Sequence, residues 1–189
     1  HGIRGETAAR DQRWCTNLCE RLSIPFATEE IDVPAMAKAK GQSLEQAARE
    51  ARYDFLERAR ESFGADVIAT AHHRDDQAET LLLNLIRGSG TTGLGGMKPR
   101  NGRIIRPMLK ISREEILTFL AEANEGYCED ETNAENTATR NRIRNELLPM
   151  LETYNPAIAQ TLCKTAELLA QDEAYLSLLV EEAEQTIAI

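Results

Sequence analysis

Four cysteines in 189 residues, Cys15, Cys19, Cys128 and Cys163, with no CxxC pair among them, argue against a zinc ribbon. Cys15 and Cys19 stand four apart beside Trp14, Leu18 and Leu22, the spacing of buried thiols on the apolar face of a helix. Buried thiols outside any CxxC pair make a reducing, cytoplasmic setting the expectation. No run of 18 uncharged apolar residues occurs, which excludes a membrane-spanning helix. With only 11 Gly and 6 Pro, 42% apolar and 28% charged residues, and no repeat or low-complexity tract, the chain is neither fibrous nor compositionally disordered. It opens at His1 without a basic segment followed by an apolar run, so no secretory signal is read and an internal fragment is expected.

Positive charge is also scarce: 22 basic residues stand against 31 acidic ones, a net charge of -9, which taken alone argues against a nucleic-acid partner. Its distribution reverses that argument. Residues 150–189 hold seven acids and only Lys164, a net of -6, leaving -3 for residues 1–149. There Lys98, Arg100, Arg103, Arg106, Lys110 and Arg113 form an acid-free run, and Arg140, Arg142 and Arg144 follow. Such clusters serve either as solvated surface or as a phosphate-binding patch.

Periodicity places a helix over 6–22 and a short strand over 24–33. Ser43 and Gln46 form a capping box that starts a helix to about Ser62, stopped by Gly64. The run ADVIATA, 65–71, reads as a buried strand, followed by a helix over 75–87. A strand over 103–109 and a helix opened by the Ser112–Glu115 box come next, and this alternation favours an α/β fold with a parallel sheet. A further helix carries Ile143, Leu147, Leu148 and Leu151 with a kink expected at Pro149. Asn155-Pro156 opens a last helix of about 30 residues, roughly 45 Å long. That length sets an expected boundary near 150: a main domain over 1–150, and a linker helix or the start of a helical domain over 151–189.

The densest chemistry lies in ATAHHRDDQAETLLLNLIRG, 69–88. A buried strand delivers His72, His73, Asp75, Asp76 and Glu79 at its carboxyl end, where open α/β sheets bind ligands. On a helix through positions 72, 76 and 79 one imidazole and two carboxylates would share a face, with Leu82 and Leu85 turned to the core. Capping by Asp75 and dipole stabilisation by Asp76 and Glu79 explain the acids without explaining the paired histidines. A hydrolytic metal site is the rival reading, limited by the three histidines of the chain. The loop Gly88-Ser89-Gly90-Thr91-Thr92-Gly93 matches GxGxxG, but it follows a helix and leads to a strand, the wrong context for a dinucleotide fingerprint. It is expected to be a mobile closing loop or a plain connection.

HGIRG, SLEQAAREARYDFL, AHHRDDQAETLLLNLIRGSGTTGLGGM, RIIRPML and TRNRIRNELLP, in this order and spacing over about residues 1–160, resemble the tRNA(Ile)-lysidine synthetases of the PP-loop ATP pyrophosphatase superfamily. The resemblance implies an adenine-nucleotide α-hydrolase-like, Rossmann-like PP-loop domain followed by a helical segment. It implies a cytoplasmic enzyme that uses ATP and Mg²⁺ to adenylate the wobble cytidine of tRNA(Ile), free L-lysine then displacing AMP to give lysidine. The family's SGGxDS loop and the strand that carries it are expected upstream of His1, so the fragment alone is expected to be inactive.

Carried over residue by residue, the resemblance makes His72, Asp76, Glu79, Arg52 and Arg144 catalytic candidates. Within this set His72 and Arg52 are the ATP-binding residues, and Asp76 and Glu79 hold Mg²⁺ with pyrophosphate, or the lysine ammonium. Lys98, Arg100, Arg103, Arg140 and Arg142 are candidate RNA contacts. The bland alternative for each of Arg52 and Arg144 is a structural salt bridge. A homodimer stays open. Two other readings remain: another PP-loop tRNA-modifying enzyme such as a thiolase, which the cysteine arrangement disfavours, and a non-catalytic nucleic-acid-binding module.

Overall fold

A computed structural model describes residues 5–128 and 139–187. The HGIRG motif apart from Gly5, and the polar stretch 129–138, lie outside the described residues. The chain forms two compact units, residues 1–68 and 69–189.

In the first unit, α1 spans Gly5–Arg21, where the sequence places it, with Cys15 and Cys19 only half-buried. Residues 24–32 carry no ladder hydrogen bonds, so the expected strand is instead a loop that leads into α2 (Val33–Lys40). The Asp32 carboxylate accepts from the Ala35 N–H at 2.9 Å, Pro34 sits in the first turn, and Gly41 closes the helix at φ 62°. α3 (Leu44–Ser62) opens on the expected box: the Ser43 hydroxyl accepts from the Gln46 N–H while Gln46 Oε1 accepts from the Ser43 N–H, both at 3.2 Å. Val33 and Ala37 of α2 bury against Ala47 and Ala51 of α3.

β1 (Ile68–Ala69) leads into the second unit. α4 (Arg74–Ile86) follows, and the glycine-rich loop contains a one-turn helix, α5 (Thr91–Leu94). β2 (Arg100–Asn101) and β3 (Ile104–Ile105) pair antiparallel through a two-residue turn whose Gly102 has φ 58°. The sheet order is β1-β3-β2, an α/β arrangement with much shorter strands than periodicity predicted. The expected strand over 103–109 ends at Ile105 because residues 107–110 turn away from the ladder.

α6 (Arg113–Glu122) carries its box: the Ser112 hydroxyl accepts from the Glu115 N–H at 3.1 Å and the Glu115 carboxylate accepts from the Ser112 N–H at 2.7 Å. α7 (Thr139–Arg142), a π-helical segment (Ile143–Leu147) and α8 (Leu148–Tyr154) run on continuously. A kink is the expectation at Pro149; the structure has a π turn just ahead of it, over residues 143–147. Proline has no N–H and its ring collides with the carbonyl four residues back, and here the Leu148 N–H donates to the Ile143 carbonyl, five residues back. α9 (Ile158–Ile187) completes the unit, preceded by Asn155, whose side chain accepts from the Ala157 N–H at 3.0 Å. Ala78 and Leu82 of α4, Ile143 and Leu148 form the core, with Leu151, Leu162 and Cys163 packed against it. Leu85, expected inside, is 55% exposed.

Candidate functional site

The carboxyl end of β1 and the first two turns of α4 carry the site. The Thr70 N–H donates to the Ile105 carbonyl at 2.9 Å, extending the ladder one residue past β1, and His72 Nδ1 lies 2.9 Å from the Thr70 hydroxyl. α4 starts only at Arg74, so His72 stands ahead of the helix and does not share the face of Asp76 and Glu79.

His73 is the N-cap. Its N–H donates to Asp76 Oδ2 at 3.0 Å, while its ring nitrogens lie 3.4 Å from Asp75 Oδ2 and 3.5 Å from Asp76 Oδ2. The nearby carboxylates hold the His73 imidazole above its usual pKa, Asp75 foremost, against the opposing effect of burial. Asp75 is held below the usual carboxylate range, first by His73 and also by the Arg113 N–H, which donates to it at 2.7 Å. This last bond ties the start of α6 to the start of α4.

Asp76 and Glu79 point together into a cluster with two arginines. Glu79 is 1% exposed. Its Oε2 accepts from Arg140 Nε at 2.8 Å and from Arg144 Nη2 at 3.0 Å, and its Oε1 accepts from Arg144 Nε at 2.6 Å. Asp76 Oδ1 accepts from Arg144 Nη2 at 3.3 Å and from Arg140 Nη2 at 3.4 Å. Glu79, ahead of Asp76, raises the Arg144 pKa further, which keeps the guanidinium charged. A buried carboxylate without such partners would cost several kcal/mol, and two guanidinium forks satisfy it.

The same geometry decides the fit of Mg²⁺. A hard cation needs carboxylate oxygens that face it, and here the Glu79 oxygens and Asp76 Oδ1 accept from arginine while Asp76 Oδ2 accepts from His73. Among the described residues no group of three His, Cys, Asp or Glu side chains is placed to hold a metal. The Asp76–Glu79 pair in this arrangement does not suit Mg²⁺.

Of the expected RNA contacts, Arg140 belongs to the cluster just described. Arg142, two residues on, faces outward with its Nε 3.5 Å from Glu146. Lys98 is exposed at the edge of a groove of about 350 Å³ that it shares with Thr92, Glu173, Ser177 and Glu181. Arg100 and Arg103 are exposed on the β2–β3 hairpin. Arg106, from the same basic run, is buried, and its Nη1 donates to the Lys98 carbonyl at 2.8 Å. Arg52 lies in the first unit, exposed on α3 beside a small depression bounded by Glu29, Ile31 and Phe55.

Two features escaped the periodic reading. Gln77 is buried and grips the backbone of Met97 twice, accepting from its N–H at 2.8 Å and donating to its carbonyl at 3.2 Å. Asn84 donates to the Gly93 carbonyl at 2.7 Å, and Glu173 accepts from both Thr91 and Thr92 at 2.6 Å. The glycine-rich loop is therefore a pinned connection. The second feature is the place of Arg140. Arg140, Ile143, Arg144 and Leu147 fall at i, i+3, i+4 and i+7, the spacing of one helix face, and that signal was available in the sequence.

The PP-loop domain family model matches residues 1–151. Over nearly its whole length the chain is similar to three bacterial proteins named tRNA(Ile)-lysidine synthase. It is 42% identical to that of Bacteroides thetaiotaomicron over 185 residues, 98% of this chain and 43% of that protein. It is 43% identical to that of Geobacter sulfurreducens (97% and 39%) and 40% identical to that of Bacillus subtilis (96% and 39%). The chain thus spans about two fifths of the length of the curated relatives it matches. Its fold is similar to that of the U34-tRNA thiolase NcsA of Methanococcus maripaludis, with a TM-score of 0.69 at 19% identity over 90% of this chain and 60% of that one.

Proposed function

This chain belongs to the PP-loop domain family, and from that premise we propose that it is the catalytic portion of an enzyme that ligates free lysine to the wobble cytidine of tRNA(Ile), giving lysidine. The family match implies ATP binding. The single observation that carries the finer reading is the 40–43% identity to tRNA(Ile)-lysidine synthases sustained over 96–98% of the chain.

ATP acts as substrate: its adenylyl group activates carbon 2 of the cytosine ring with loss of pyrophosphate, and the lysine ε-amine then forms the new C–N bond as AMP leaves. The site's part in this reading is electrostatic. Asp76 and Glu79 accept hydrogen bonds from Arg140 and Arg144, which holds the guanidiniums in position before any anion arrives. Arg144, its side chain one-third exposed, is the group assigned to the negative charge of ATP or the adenylate, because a pre-oriented cation stabilises developing charge without reorganising at the moment of reaction. His72, beside Thr70 at the carboxyl end of β1, is assigned to the phosphates, and Arg52 remains a candidate for ATP. Asp76 and Glu79 are assigned to holding the arginines, and Mg²⁺ remains a requirement proposed from the family alone.

The test uses the protein at its full natural length, with ATP, Mg²⁺, labelled lysine and a tRNA(Ile) bearing the wobble cytidine. Label should enter the RNA and AMP should accumulate in equal amount. An active, folded preparation that transfers no lysine overturns the reading.

A further inference from the structure

We propose that Arg140 is a positioning residue of the active site and not an RNA contact: together with Arg144 it holds the buried Glu79 carboxylate, and so fixes where Arg144 presents its charge. The proposal rests on the functional reading above and deepens it.

The argument begins with the valence of one carboxylate. Glu79 is buried on α4, and its two oxygens receive three N–H donors, one from Arg140 and two from Arg144. Two guanidiniums that share a single carboxylate repel one another unless a second negative charge lies between them, and Asp76 Oδ1 provides it at 3.3 and 3.4 Å. Each of the four residues therefore sets the geometry of the other three. Removing Arg140 leaves one cation for two carboxylates. The site then carries a net negative charge where ATP and the RNA backbone, both anionic, must approach, and Arg144 is free to swing onto the oxygens that Arg140 has vacated.

The helix decides which arginines can do this. Arg140 and Arg144 are four residues apart across the junction of α7 with the π-helical segment and face α4, whereas Arg142 projects to the other side with Glu146. The Arg140 Nε and Nη2 are spent on Glu79 and on Asp76, including the Asp76 carbonyl at 3.4 Å. Neutralising Arg140 should therefore leave the number of counterions released on tRNA binding unchanged.

The experiment compares Arg140→Gln, Arg140→Lys and Arg142→Gln in the full-length protein. It measures single-turnover rate at saturating tRNA, KM for tRNA, and tRNA affinity as a function of salt. Arg140→Gln should lower the single-turnover rate by a factor on the order of 10 to 10², leaving KM for tRNA and the salt slope unchanged. Arg140→Lys restores the charge without the planar fork and should recover part of that rate. Arg142→Gln should act in the opposite sense, weakening tRNA binding and flattening the salt slope. The proposal is overturned if Arg140→Gln flattens the salt slope as Arg142→Gln does, or if its rate equals that of the wild type. Should Arg140→Gln not fold, Arg140→Lys carries the test: a rate at the wild-type level joined to a weaker salt dependence sinks the proposal, and a reduced rate at unchanged slope supports it. A wild type that transfers no lysine overturns the functional reading instead, while the salt slopes, which do not depend on the product formed, still decide the place of Arg140.

Discussion

His73 and Asp75 respond to pH in opposite directions because each is the other's main partner. The folded protein raises the His73 pKa, so its contribution to stability is complete below the ordinary histidine value of about 6.5 and is lost as pH rises through the raised value. The folded protein lowers the Asp75 pKa, so its contribution is present above the ordinary value of about 3.9 and is lost as pH falls through the lowered one. Between about pH 4 and 6.5 both contributions are present. Replacing His73 with Gln should therefore destabilise the protein more at pH 5.5 than at pH 8.5. Urea denaturation midpoints of wild type and variant at the two pH values check this, and an equal gap at both would mean that the imidazole is not charged through Asp75. Cys163 has no part in this balance: burial pushes its thiol up to about 11, and it donates to the Arg74 carbonyl at 3.2 Å, the behaviour of a core residue.

At the scale of elements, the contact between the glycine-rich loop and α9 depends on one missing side chain. A Cβ on Gly95 would stand 3.2 Å from Ala170 Cβ and 3.3 Å from its Cα, so the obstacle includes helix backbone. Gly95→Ala should therefore cost roughly 1–3 kcal/mol, the usual range for overpacking, and a calorimetric midpoint matching that of the wild type would mean that α9 moves aside freely. Elements specified by their own few residues were legible in the sequence. The Ser43–Gln46 and Ser112–Glu115 boxes close with the expected donors, and the Asn155-Pro156 helix start appears in place. Strands need a partner that local sequence does not name, which is why 24–33 lacks one and 103–109 keeps only Ile104 and Ile105 in the ladder. α2 escaped the periodic reading although Asp32, Pro34 and Gly41 bracket it, because its eight residues make little more than two turns, too few for a helical period to show. The acids of the site were legible from their place after the apolar run 65–71, although that run, expected to be a buried strand, forms only the two-residue β1 with Ile68 alone buried; the partners of the acids were not legible. Glu79 and Arg144 are 65 residues apart, and only the packing of the π-helical segment on α4 brings them together.

Across the whole molecule the charge is divided along the sequence, and part of the acidic share is spent within the fold. Glu167 on α9 lies 3.1 Å from Lys110, and Glu173 is held below the ordinary carboxylate range by the Thr91 and Thr92 hydroxyls, with Lys98 adding a smaller pull. Opposite behaviour is expected of the basic run. Arg106 is buried and serves the loop backbone; of the five exposed cations that remain in that stretch, Lys110 pairs with Glu167 and Arg113 opens α6, and Lys98, Arg100 and Arg103 are those proposed to meet RNA phosphates. Phosphate contacts release condensed counterions, so each one lost should make the log-log dependence of tRNA affinity on salt shallower by roughly 0.7 to 0.9. Replacing all three with Gln should therefore flatten the slope by about 2 to 3 while the single-turnover rate at saturating tRNA stays within about twofold, because such contacts position the substrate without joining the chemistry. Filter-binding titrations at several salt concentrations, paired with single-turnover measurements, separate these effects. An unchanged slope would assign the three to solvated surface, and a lost rate with an unchanged slope would place one of them at the reacting groups.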